Sequence, residues 1–218
     1  MPGSDFGAGP AQLAGCVDLA VAELAEGNAA REAGLAGCRR VIRAAGSAVR
    51  AVHRRQPAKV SDHLRDAEAA LREAQAAVSP FPRVAYAGFL HDAEKEYAEA
   101  VMTAALVDGT PVPGHREMRV EAPAWLNGLA EAASELRRHL LDRLREGRVD
   151  TAEQLLVAME DAYELLVGVD YPDAVTGGLR RSADSLRAVL ERTRSDVTTT
   201  VLQFRLQAAL ERREGDEL

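Results

Sequence analysis

Prolines and glycines cut this chain into long stretches, and those stretches are written almost wholly in helix-forming residues. Pro57 closes the first stretch, Pro80 and Pro82 the second, and Asp108-Gly109-Thr110-Pro111-Val112-Pro113-Gly114 the third. Pro123, Gly147 and Pro172 mark three further boundaries. Proline removes a backbone donor and clashes with the preceding turn, so it punctuates helices. Alanine, leucine, arginine and glutamate dominate between these points, and aromatics make up only 4% of the chain, so strand-forming runs are scarce. The pattern predicts an all-α protein with helices over 11–55, 58–79, 83–107, 122–146, 150–168 and 172–213, the first open to a break near Gly27-Asn28 or Gly34. With no 20–50-residue repeat and no long interior linker, the expected architecture is a single-domain antiparallel bundle of about six to seven helices. It spans 11–213, between tails at 1–10 and 214–218.

A chain of 218 residues buries enough surface to hold its own core without disulfides or metal. Cys16 and Cys38 form neither a C-x-x-C nor a zinc-type spacing, which points to a reducing compartment. Met1–Pro10 has no basic, then apolar, leader pattern, and no run approaches the roughly 18 apolar residues of a membrane helix. A cytoplasmic protein is expected. The formal charge of −7 argues against a general polyanion binder, but as an average it can hide a local basic face.

One such face is visible. Between Ala33 and Ser61 there is no acidic residue, while Arg39, Arg40, Arg43, Arg50, Arg54, Arg55 and Lys59 all fall there. At about 100° per residue, Arg43, Arg50 and Arg54 lie within about 60° of Arg39, with Val41, Ile42, Ala44, Ala45, Ala48, Val49 and Val52 on the opposite side. Two readings fit this stripe. It is either a solvated charged face or a surface for phosphates, which the planar guanidinium fork suits.

Carboxylates form the second pattern. Glu96 and Glu99 stand one turn apart on the third helix, where their side chains can converge. Helical projection puts Glu96 at the edge of a face of small and aromatic residues and Glu99 on a more polar side with Asp92 and Thr103, making Glu96 the less ordinary of the two. Asp150, in the first turn of the fifth helix, reads either as a charge favoured by the helix dipole or as a ligand. If that helix packed on the third, Asp150 with Glu96 and Glu99 would make a hard-oxygen site for Mg²⁺ or Mn²⁺.

At these residues the sequence resembles the translin and translin-associated factor X (TRAX) family. The resemblance rests on Arg39-Arg40-Val41-Ile42-Arg43 through His53-Arg54, on Tyr86-Ala87-Gly88-Phe89 followed by Glu96-Tyr97-Ala98-Glu99-Ala100, and on Gly147-Arg148-Val149-Asp150-Thr151 leading to Tyr163. It runs from about residue 28 to 210. It implies single-stranded RNA, and DNA as an open question, as partner. It also implies an all-helical subunit of an octameric shell and Mg²⁺-dependent endoribonuclease activity in TRAX-like members. The family's catalytic glutamate pair maps onto Glu96 and Glu99 and its aspartate onto Asp150. The fourth acid, four residues further on, falls on Gln154, with Glu153 as the nearest carboxylate. The basic helix of the family maps nucleic-acid contacts onto Arg39, Arg43, Arg50 and Arg54.

Two functions follow from this. The first is an Mg²⁺- or Mn²⁺-dependent endoribonuclease in which Glu96, Glu99 and Asp150 bind metal and Glu153 assists. The second is a translin-like nucleic-acid-binding scaffold with no cleavage, Gln154 marking a lost site. A homo-oligomer is expected in either case, because Leu90, Ala98, Val101, Met102, Ala105 and Leu106 make the third helix apolar over more than half its circumference. The five histidines form no di-iron pattern, Gly177-Gly178 is no phosphate loop, and neither cysteine has an evident histidine partner.

Overall fold

A computed structural model describes residues 10–216. Among the described residues it holds nine helices and no strand. They are α1 (Pro10–His53), α2 (Pro57–Val78), α3 (Pro82–Ala85), α4 (Phe89–Asp108), α5 (His115–Met118), α6 (Ala122–Arg145), α7 (Val149–Val167), α8 (Asp173–Thr176) and α9 (Leu179–Asp216). Six of these are the expected long helices, and the all-α class stands.

The departures sit at glycines and in the proline-rich loop. The expected 83–107 helix is split because Gly88 takes φ +96°, a left-handed conformation that ends the single turn of α3 before α4 starts. Positive φ at Gly177 and Gly178 likewise separates α8 from α9. The short α5 lies inside the stretch read as loop. By contrast, α1 runs unbroken through Gly27 and Gly34.

The helices form layers: α1 pairs with α2, α4 lies across α1 and α6, and α6 also carries α7 and α9. The main core gathers Val41, Leu71, Tyr97, Met102, Leu129 and Leu186, and a second cluster under α6, α7 and α9 holds Leu136, Leu140, Met159 and Leu190. The apolar girth of α4 is used inside the chain, since Ala98, Met102 and Ala105 are buried by its neighbours. Exposed apolar side chains lie elsewhere, on the first half of α1 (Leu13, Val17, Leu24) and the last part of α9 (Leu202, Phe204, Leu210).

One contact sets the geometry of the site. At Gly128 on α6 a Cβ would sit 2.9 Å from the Ala98 Cβ and 3.0 Å from the Glu99 nitrogen and the Lys95 carbonyl oxygen. Only glycine lets α4 and α6 come so close, and the approach brings the polar edge of α4 over the next turn of α6.

Candidate functional site

The face of α4 that carries Glu96 and Glu99 looks onto Glu131 of α6. Carboxylate oxygens of the three lie within 4.8 Å of one another. Each side chain is half-buried. Glu135, one turn beyond Glu131, joins Glu96 and Glu99 in lining a cavity of about 270 Å³, whose wall also holds Arg50 and His53 of α1 and Arg138 of α6. Three carboxylates and two guanidinium groups thus line one small volume where α1, α4 and α6 meet, and Glu131 closes on two of those carboxylates.

The electrostatics show how crowded the acids are. Burial, then the Glu131, Glu96 and Glu135 carboxylates, push the Glu99 acid up to about 8, with Lys95 opposing. Glu96 is also raised, chiefly by burial, with Lys95 pulling it back and Glu131 pushing it further. Helical projection made Glu96 the more perturbed of the pair. The structure reverses that order, because the Gly128 contact turns the side bearing Glu99 toward α6.

Lys95 answers part of this charge. Its Nζ donates to Glu131 Oε1 at 2.6 Å and lies 3.6 Å from Glu96. Burial works against its charged form, but the Glu131 hydrogen bond and the charges of Glu131, Glu96 and Glu99 outweigh that and raise it. Hard, anionic oxygen donors at this spacing fit a divalent cation such as Mg²⁺ or Mn²⁺, which would relieve the like-charge repulsion that holds the Glu99 proton on.

The other expected acids stand apart. Asp150 and Glu153 lie in the first turns of α7, both exposed. That helix packs on α6 and α9, and neither residue is among the carboxylates that close on Glu96 and Glu99. The arrangement in which the α7 helix covers α4 is therefore not the one found, because α6 occupies that face. Glu131 and Glu135 are the acids that sequence reasoning missed. Their signal was present as two glutamates four apart on the helix that follows the Glu96–Glu99 pair, the spacing the resemblance placed at Asp150 and Gln154.

The arginine stripe is exposed along its length: Arg39, Arg43, Arg50 and Arg54 all face outward on α1. Among the described residues none of the four has a carboxylate within 4 Å, whereas Arg40 binds Glu73 at 2.6 Å and Arg55 binds Glu146 at 2.5 Å. Arg50 reaches the acidic cavity. Arg54 lines a neighbouring one of about 410 Å³ together with Arg55 and Arg145, and His53 borders both. A run of guanidinium groups without carboxylate partners thus ends beside clustered carboxylates, and such a surface has the chemistry that suits phosphates on one side and a hard cation on the other.

No family model matches the chain. An uncharacterized protein of Methanocaldococcus jannaschii is 27% identical over 191 residues, 87% of this chain and 84% of its own. The solved C3PO of Archaeoglobus, AfC3PO, is 30% identical with a TM-score of 0.79 over 86% of this chain and 97% of its own, both free and in complex with duplex RNA. The apo-C3PO of Nematostella shares the fold at a TM-score of 0.75 and 16% identity, over 84% of this chain and 96% of its own. The chain belongs to the C3PO family of translin/TRAX-type proteins.

Proposed function

We propose that this protein binds RNA and cleaves it as a metal-dependent endoribonuclease, working as a homo-oligomer. The observation that carries the reading is the convergence of Glu96, Glu99 and Glu131, two of which, Glu96 and Glu99, line a cavity with Glu135, Arg50 and Arg138. AfC3PO, which is similar to this chain over most of its length, has been solved with duplex RNA, and this supports RNA as the polymer.

Glu96, Glu99 and Glu131 would hold Mg²⁺ or Mn²⁺, which when bound supplies a Lewis acid and an activated water for phosphodiester hydrolysis. The remaining work belongs to the chain. Arg50 and Arg138 hold the phosphate against the carboxylates, Arg39, Arg43 and Arg54 carry the rest of the strand along α1, and the Lys95 ammonium fixes Glu131 by its hydrogen bond. The exposed apolar faces at the start of α1 and the end of α9 support self-association, up to the octamer that the family resemblance implies, since a monomer would leave them in water.

One observation favours a second reading. Lys95 Nζ, 2.6 Å from Glu131, already supplies a cation to the acidic cluster, as a binding scaffold without cleavage would need. End-labelled single-stranded and duplex RNA, incubated with Mg²⁺, Mn²⁺ or EDTA, separates the two. The nuclease reading expects metal-dependent fragments from the wild type and none from Glu99→Gln, with RNA binding retained. Binding without fragments under every metal condition would establish the scaffold instead.

A further inference from the structure

His53 sits in the last turn of α1, and its side chain is only 5% exposed. Nε2 lies 2.7 Å from Glu135 Oε2. A carboxylate accepts hydrogen bonds, so Nε2 carries the proton and donates. Nδ1 is buried and has no partner. A buried polar atom left unpaired is a cost that a leucine of similar size would avoid. The imidazole therefore has one polar task among the described residues, its bond to Glu135.

Glu135 needs that bond. Its side chain is 37% exposed, and His53 is its one hydrogen-bond partner among the described residues. On a helix surface a glutamate so exposed can turn to solvent or toward Arg138, three residues along. It instead stands close enough to Glu99 to help raise that acid, on the wall of the same cavity. The rigid, packed ring of His53 selects this orientation, much as outer hydrogen-bond partners orient the carboxylates of metal sites.

We propose that His53 is a positioning residue: through Nε2 it holds Glu135 against the Glu96–Glu99–Glu131 cluster and so sets the cation affinity of the site. The proposal rests on the metal-binding reading above. It adds a residue that comes from α1, the helix of the arginine stripe, and so couples the nucleic-acid surface to the acidic centre.

The test is a calorimetric titration of the full chain with Mn²⁺, beside thermal melting of the metal-free protein. His53→Leu keeps the packing and removes the donor, and Mn²⁺ affinity is expected to fall by about tenfold to a hundredfold. His53→Gln, whose amide can reach the same carboxylate oxygen, is expected to stay within about threefold of the wild type on the same scale. The metal-free melting temperature of His53→Leu should not fall, and in a Glu135→Ala background His53→Leu should weaken Mn²⁺ binding no further. Wild-type affinity in His53→Leu, or an equal loss in His53→Gln, overturns the proposal while leaving the metal site standing. A wild-type protein that binds no Mn²⁺ overturns the metal reading and the proposal with it.

Discussion

Glu94 and Glu99 lie five residues apart on α4, both carboxylates removed from bulk water, and they have opposite surroundings. Glu94 is the more deeply buried, at 3% exposure, yet it is well served. The Gln75 amide donates to Oε1 at 2.6 Å and the Glu121 backbone N–H donates to Oε2 at 3.0 Å. Burial raises its acid, and those two bonds hold it back. Burial raises the Glu99 acid too, and there three other carboxylates add to it instead of offsetting it, so that it is pushed up to about 8. Burial alone therefore does not mark a functional acid. A buried carboxylate with matched donors ties elements together, here α4 to α2 and to the start of α6. One crowded by like charges has instead the chemistry that a cation would relieve.

The largest effect that could break this contrast is on activity. Glu99→Ala should lower metal-dependent RNA cleavage by at least about 100-fold, while filter binding of the same RNA stays near the wild type. Glu94→Ala should leave cleavage per folded molecule unchanged. A reversed result would assign the chemistry to the satisfied carboxylate.

Stability comes next. Gly128→Ala forces a Cβ against the backbone of Lys95 and Glu99, and should cost about 1–3 kcal/mol in denaturant unfolding while weakening Mn²⁺ binding, because α4 and α6 must separate. Glu94→Ala strands the Gln75 amide and the Glu121 N–H, and should cost about 1–3 kcal/mol without touching Mn²⁺ affinity.

The last effect is a slope with pH. The native state holds the Glu99 proton up to about 8, above the ordinary 4.5 of a free glutamate, so between those values it binds more protons than the unfolded chain. The contribution of Glu99 to stability therefore falls as pH rises from about 4.5 to about 8, and Glu99→Gln should flatten that part of the metal-free profile. Mn²⁺ affinity should rise over the same interval, since binding requires the proton to leave.

Much of this was legible in the residues. Proline spacing located the long helices, and the i, i+3 placement of Glu96 and Glu99 marked one side of the cluster. The periodicity of α1 showed the stripe of Arg39, Arg43, Arg50 and Arg54 that the structure leaves exposed. The opposite side of the cluster was not legible, because periodicity describes one helix at a time and says nothing of which helix faces it. Glu131 and Glu135 stand in an alanine-rich stretch that reads as an ordinary core helix. What brings them to α4 is Gly128, whose role is visible only as the close approach it permits. Asp150 drew attention by its place at a helix start, where a carboxylate also suits the helix dipole, and its exposure fits that use. The break at Gly88 was hidden for a similar reason: a glycine is compatible with helix until its φ is known.

The most direct test of the account compares Glu131→Gln with Asp150→Asn in one Mn²⁺-dependent cleavage assay on single-stranded RNA. Glu131→Gln is expected to lose cleavage and Asp150→Asn to keep the wild-type rate. Full activity in Glu131→Gln with loss in Asp150→Asn would contradict it, and would place the metal centre at the head of α7.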